Sequence, residues 1–342
     1  MRTHLAASLL SLSLSLSVAG AGCTSGPRRV VAAQPPVDPP CTMPEAVAVA
    51  PLTSADTDVE VVVVRGGEAL DLVGNAMLVT HRFEGLTTMA PIGWRSPRRG
   101  VRWIHDTARD RLLAVGGWEE VAGARQRRTD VIGIERASGR VETVVASGAP
   151  LTNGSMLQAY DAERDRVVLW TQEGDVWELP LGAEPAWHRL ASGASAPRPT
   201  GADGWAIASA DYDAVKGRFV GLFATADGRA ELHALALSSM PVLGWERLGT
   251  AGGLAPGRTA LLVDERGAGL IATLMPTGLS VARVDLGASP TVTPLYVAAG
   301  ALAPNTTPIY RRATDELGLV SIGAGEVRLS MTSLSECTSE TP

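Results

Sequence analysis

Apolar runs along this chain are short and are cut by glycine, proline and aspartate, so they read as β-strands and not as helices. The clearest unit is residues 101–117, VRWIHDTARDRLLAVGG: strand, tight charged turn, strand, glycine pair. The same pattern returns along the chain. Aligned on His105, later copies start from Tyr160, Tyr212, Val263 and Tyr310, and an earlier one fits on Ala55. The apolar second strand then falls at 112–115, 167–170, 219–223, 270–274 and 317–322, and at 61–64 in the first copy, where Gly66-Gly67 matches Gly116-Gly117. Asp follows the aligned position as Asp56, Asp106, Asp161, Asp213 and Asp264. A carboxylate there accepts backbone N–H groups two residues on and fixes the turn, so a structural role is expected for each.

A second marker runs in parallel. Pro97, Pro150, Pro197, Pro256 and Pro304 each close a unit. Between the two markers lie two more strand-like runs per unit, at 129–135 and 141–145, 175–179 and 187–190, 231–237 and 245–248, and 279–286 and 292–297. Each unit thus has four strands, A to D. A four-strand unit repeating about every 50 residues predicts a β-propeller, because one such sheet buries its faces only by stacking against copies of itself. The expected fold is all-β, a propeller of about six four-stranded blades, with five units over 46–304 and an incomplete sixth over 305–337. Gly66-Gly67 and Gly116-Gly117 after strand B, Asp130-Val131 and Asp175-Val176-Trp177 opening strand C, and Trp187 and Trp245 in strand D carry a resemblance. Residues 45–337 resemble the kelch repeat family, with the galactose-oxidase-like propellers behind it.

The ends read differently. Residues 1–22 carry Arg2, an apolar Leu/Ser run at 5–18 and then small residues up to Cys23. This run has signal-peptide length and is too short to span a bilayer. It resembles a bacterial lipoprotein signal, which implies lipidation of Cys23; ordinary cleavage near Ala21 is the alternative. Residues 23–44 are a tether kept extended by Pro27, Pro35, Pro36, Pro39, Pro40 and Pro44. The sixth unit lacks an outermost strand, and either residues 30–33 or residues 334–337 would supply it. With Cys23 lipidated, Cys41 and Cys337 are left, flanking the repeats, with a short tail at 338–342. A disulfide between them would tie the first unit to the last across about 295 residues, worth ~4–5 kcal/mol by chain entropy.

The formal charge of −6 is mild for 342 residues, so steering toward nucleic acid is not expected. Only Lys216 of the 30 basic residues is a lysine. In a meander the D-to-A and B-to-C loops emerge on one face. That face would carry Arg95, Arg98 and Arg99 from one loop, Trp118, Arg125, Arg127 and Arg128 from the longest B-to-C loop, and Arg198 and Arg258 from later units. Guanidinium forks suit carboxylate, sulfate or phosphate. His4, His81, His105, His188 and His233 show no metal-ligand spacing. Three of the four tyrosines are repeat positions, and no cysteine lies inside the repeats for a copper site of the galactose-oxidase kind. No cofactor is expected. The function expected is a lipid-anchored module of the cell envelope, most consistent with the outer membrane, that binds an envelope protein or an anionic glycan. The alternative is a hydrolase or lyase acting on an anionic polysaccharide.

Overall fold

The computed structural model describes residues 41–337 except 53–59, 64–67, 75, 94–97, 99–100, 102, 146, 149, 151–155, 172, 195–205, 225–228, 238–241, 243, 254–257, 264–266, 288–289, 296, 298, 312–313, 324 and 336. Pro39–Pro342 forms one unit. The first strand, β1 (Val47–Pro51), is set aside for the closure. Blade 1 is β2 (Glu60–Val63), β3 (Ala69–Val73), β4 (Met77–Arg82) and β5 (Thr87–Pro91). Blade 2 is β6 (Trp103–Asp106), β7 (Arg111–Val115), β10 (Val131–Glu135) and β11 (Val141–Val145), with a hairpin β8 (Trp118–Val121) and β9 (Ala124–Arg127) inserted between its middle strands. Blade 3 is β12 (Met156–Asp161), β13 (Arg166–Thr171), β14 (Val176–Pro180) and β15 (His188–Ala191). Blade 4 is β16 (Ala206–Asp213), β17 (Arg218–Ala224), β18 (Arg229–Ala236) and β19 (Trp245–Gly253). Blade 5 is β20 (Arg258–Val263), β21 (Ala268–Met275), β22 (Gly278–Asp285) and β23 (Thr291–Leu295). Blade 6 is β24 (Thr306–Arg311), β25 (Glu316–Ile322), β26 (Glu326–Ser333) and β1. Among the described residues this is a six-bladed, all-β propeller with antiparallel four-stranded blades.

The second strand of each blade shows why the units stack. Every residue of β13 is buried, because both faces of the sheet are covered. Val167 and Leu169 pack with Leu113 and Val115 of blade 2, while Val168 and Trp170 pack with Phe219 and Leu235 of blade 4. The two-residue period of a strand thus sends alternate side chains to opposite neighbours. In blade 5, Leu270 and Ala272 face blade 6 while Ile271 faces blade 4. Six apolar clusters result, one at each junction between consecutive blades, the last joining Leu70 and Leu72 of blade 1 to Val320 and Val327 of blade 6.

An N-terminal strand closes the ring, but not the one expected. β1 pairs antiparallel with β26, Val47 opposite Leu329 and Pro51 opposite Glu326. Residues 30–33 lie outside the described residues, and Leu334 is buried in the core between blades 5 and 6 instead of extending the sheet. The Cys41–Cys337 disulfide, Cα–Cα 5.2 Å, joins the chain before β1 to the chain after β26. The Ser330 hydroxyl donates to the Pro44 carbonyl at 2.7 Å beside it.

The first unit is out of the expected register. Residues 61–63 belong to strand A, β2, not to strand B, which is β3. Gly66-Gly67 therefore falls between A and B and is not the counterpart of Gly116-Gly117, which follows B. Ala55 and Asp56 lie outside the described residues. The difference has a physical source: an apolar run followed by two glycines occurs after strand A in this blade and after strand B in blade 2.

The charged turn is more specific than the aspartate alone. Asp106, Asp161 and Asp213 are buried and each accepts a hydrogen bond from the Nε of the arginine directly across the hairpin, Arg111, Arg166 and Arg218, at 2.9, 2.9 and 2.8 Å. In blade 6 the pair is reversed, Arg311 donating to Glu316 at 2.7 Å. Buried charge is tolerated here because it is paired and hydrogen-bonded. The Asp106 and Asp213 carboxylates also accept the backbone N–H groups of Arg109 and Lys216 at 3.3 and 3.2 Å, three residues on and not the two expected, and so fix the turn. Asp264 lies outside the described residues. One residue before Arg111, Arg166 or Glu316 stands Asp110, Asp165 or Asp315 in left-handed backbone, held by His105 at 3.3 Å, Tyr160 at 2.8 Å or Tyr310 at 3.0 Å; blade 4 uses Gly217.

From the same end of the blades, cations reach into the next blade. Arg109 donates to the Asp165 carboxylate at 2.8 and 2.7 Å and to the Leu181 carbonyl at 2.8 Å. Arg166 donates to the Leu237 carbonyl at 3.3 Å. Lys216 and Arg218 donate to the Leu286 carbonyl at 2.5 and 3.0 Å. Arg283 donates to Asp315 at 2.8 Å and to the Leu334 carbonyl at 3.0 Å. Leu181, Leu237, Leu286 and Leu334 all directly follow the third strand of their blade. In blade 1 that position is Phe83, whose ring lies 4.2 Å from the Arg311 guanidinium carbon. In blade 2 it is Arg136, which reaches back to Asp71 of blade 1 at 2.6 Å. All six junctions thus carry a cationic latch.

Candidate ligand-binding face

On the opposite end of the blades, the two middle strands of blade 2 run on past their neighbours. Val115 pairs with Val131, the Gly116 N–H donates to the Asp130 carbonyl at 3.1 Å, and the Arg128 N–H donates to the Gly117 carbonyl at 3.0 Å. The ladder then continues as β8–β9, with Trp118 opposite Arg127 and Val121 opposite Ala124. Gly116 and Gly117 both have positive φ, 62° and 89°, which turns the ribbon where it leaves the blade. At the tip, Ala122 and Gly123 both have positive φ, the two-residue loop that matches strand twist. The longest B-to-C loop of the sequence is therefore an ordered two-stranded arm.

Its base is locked by charge. The buried Arg98 guanidinium donates to the Gly116 carbonyl at 3.0 Å and the Asp130 carbonyl at 3.3 Å, and is ion-paired with the Asp130 carboxylate. Its Nε lies 3.8 Å from Glu119. The Arg128 Nε lies 3.6 Å from Glu119 and 3.4 Å from Asp130. Two arginines and two acids neutralise one another where the ribbon meets the blade. Arg98 and Arg128 thereby mount the ribbon on the blade.

The outward side is different. Strand alternation and cross-strand pairing put Trp118, Glu120, Arg125 and Arg127 on one side of the ribbon. Trp118 is 37% exposed, unusual for a large aromatic side chain. The Arg125 and Arg127 guanidinium carbons lie 5.8 and 5.6 Å from its ring centroid. These are loose cation–π distances that orient all three groups without burying them. Arg258 sits at the start of the inner strand of blade 5 and donates to the Thr306 carbonyl of blade 6 at 2.6 Å. Arg95, Arg99 and Arg198 lie outside the described residues. The structure therefore gathers Arg98, Trp118, Arg125, Arg127 and Arg128 in one arm, divides them between mounting and display, and places Arg258 on another blade. Glu120 shares the outward side, and the alternation of 118, 120, 125 and 127 about an Ala-Gly turn carries the signal in the sequence.

Elsewhere the titratable groups serve the scaffold. His81 shares a hydrogen bond with Thr87 at 2.9 Å, His105 with Asp110, and His233 with Glu231 at 3.1 Å. Burial pushes all three imidazoles below their ordinary pKa, which favours the neutral ring. A cavity of about 360 Å³ between blades 4 and 5 is lined by Thr250, Ile271, Thr273, Ser280, Val292 and other uncharged residues. No helix among the described residues is long and apolar enough to cross a membrane.

No family model matches the chain, and no curated protein matches it in sequence. Its likeness is to solved propellers. TolB from Acinetobacter baumannii is 12% identical with a TM-score of 0.45, covering 79% of this chain and 65% of TolB, so the chain spans under two thirds of that protein. The β-propeller domain of Cps50 (Swd1) from Myceliophteria thermophila is 9% identical with a TM-score of 0.45, covering 84% of this chain and all of that one. A protein of unknown function from Desulfotomaculum acetoxidans is 12% identical with a TM-score of 0.43, covering 81% and 86%.

Proposed function

We propose that the chain is a non-enzymatic binding module of the cell envelope, a kelch-type propeller held to the membrane by lipid on Cys23. The observation that carries the binding assignment is the β8–β9 arm, with Trp118, Arg125 and Arg127 displayed on a base locked by Arg98, Glu119, Arg128 and Asp130. A preformed arm loses little conformational freedom on binding. Loops on a rigid scaffold are also where recognition resides. The ligand carries negative charge, as an envelope protein or an anionic glycan. The disulfide supports an oxidising, extracytoplasmic compartment. The leader at 1–22 and the cysteine that follows it support lipid anchoring at the envelope.

The test is an affinity pull-down from native envelope extract with the parent chain and a Trp118→Ala/Arg125→Ala/Arg127→Ala variant. A partner held by the parent and lost by the variant supports the reading. Equal capture by both places recognition elsewhere on the propeller.

A further inference from the structure

We infer that the outward side of the β8–β9 arm is a subsite for a uronate-bearing polysaccharide, a proposal that rests on the binding face described above and names its ligand. Four side chains define the surface: Trp118, Glu120, Arg125 and Arg127. The two guanidinium groups call for an anion. Glu120 then decides which anion. It sits between Trp118 and Val121 on β8, directly across from Arg125, and is exposed. A carboxylate beside the forks repels a phosphate or a polyacidic peptide. It suits a ligand that carries hydroxyl donors next to its own negative charge, because an ionised carboxylate accepts and never donates.

A uronate residue supplies both. Its carboxylate pairs with Arg125 and Arg127, its hydroxyls donate to Glu120, and the C–H face of its ring packs on the Trp118 indole. A phospholipid surface fits less well. The tip that would enter it, residues 121–124, carries only Val121, Ala122, Gly123 and Ala124, and burying so little apolar surface gives weak insertion. At the base of the arm Glu119 and Asp130 lie by Arg98 and Arg128, while the outward groups are exposed on the ribbon.

Calorimetric titration of the full chain tests this with four probes: a polygalacturonate oligomer, its methyl ester, neutral dextran and polyglutamate. Polygalacturonate binds, and the ester and dextran bind at least roughly tenfold more weakly, because the charge-assisted pair is lost. Trp118→Ala and Arg125→Ala/Arg127→Ala each weaken polygalacturonate by at least roughly tenfold. Glu120→Gln weakens polygalacturonate but strengthens polyglutamate. That opposite sign is the signature of hydroxyl recognition. All of these residues are exposed, so unchanged thermal unfolding confirms that the variants are folded. Polyglutamate binding as tightly as polygalacturonate, with Glu120→Gln strengthening both, overturns the uronate assignment in favour of an acidic peptide and leaves the binding face standing. No polygalacturonate binding at millimolar concentration also overturns it, and if the envelope pull-down is then indifferent to the arm variant, the face falls too.

Discussion

The two ends of the blades use the same residue type in opposite ways. At the end of the blades that carries the A-to-B turns, arginines are consumed by the scaffold. Arg109, Arg166, Arg218, Arg283 and Arg311 each find a carboxylate or carbonyl, and several cross into the next blade to do so. At the other end, Arg125 and Arg127 are exposed on the inserted arm and lie beside an exposed indole. What separates the two sets is their place in the repeat. A guanidinium becomes structural where the repeat delivers an acceptor to it. It is displayed where the chain has left the repeat. The functional reading therefore belongs to the insertion, and the repeat reading to stability.

The comparison can be broken first at the closure. Replacing Cys337 with Ser removes a cross-link spanning 296 residues, and loss of ~4–5 kcal/mol is expected if chain entropy dominates. Urea unfolding of the oxidised chain, the reduced chain and the variant measures it. A loss below about 1 kcal/mol would mean that the β1–β26 pairing alone holds the ring.

The next effect comes from one latch. Asp161→Ala leaves the buried Arg166 with only Glu178 and the Leu237 carbonyl. Removing one partner of a buried pair costs about 3 kcal/mol. Asp161→Ala/Arg166→Leu should recover part of that, since the unpaired charge is gone. A double variant as unstable as the single one would show that the cost lies in the turn and not in the charge.

Acid sharpens the same contrast. Hydrogen bonds from Arg109 hold the Asp165 carboxyl down at about 2. Its ordinary value in an unfolded chain is near ~3.9. The folded value is depressed, so the latch stabilises fully above about pH 4 and is lost as pH falls toward about 2. Arg109→Ala should flatten that part of the stability profile relative to the parent. The side chain is partly exposed, so salt should shrink the difference. An unchanged slope in the variant would remove Asp165 from the account of acid stability.

Five of the six units were legible from sequence because the charged turn is local. His105 to Arg111, Tyr160 to Arg166 and Tyr212 to Arg218 each carry their partners within the same hairpin. In blade 1 the A-to-B turn, 64–67, lies outside the described residues, and the glycine pair that suggests the register, Gly66-Gly67, falls in the sequence between β2 and β3. The latches were not legible, since Arg109 finds Leu181 and Lys216 finds Leu286 only after the blades are stacked. The closing strand was obscured for a similar reason: β1 meets its partner near the other end of the chain. The arginine face was legible as a loop cluster, but its division was not. Arg98 and Arg128 differ from Arg125 and Arg127 only in what the fold brings to them.

The smallest stability effect is the most informative about function. Trp118→Ala/Arg125→Ala/Arg127→Ala removes exposed side chains, so unfolding should move by less than about 0.5 kcal/mol. Arg98→Ala should behave oppositely, leaving Asp130 buried beside the Gly116 and Asp130 carbonyls without its donor, and cost about 2–3 kcal/mol. Both variants should lose ligand, the first because the contacts are gone and the second because the arm is no longer mounted. A triple variant that melts as early as Arg98→Ala would mean that the outward groups also brace the arm, and loss of binding by it could no longer be assigned to contact with a ligand.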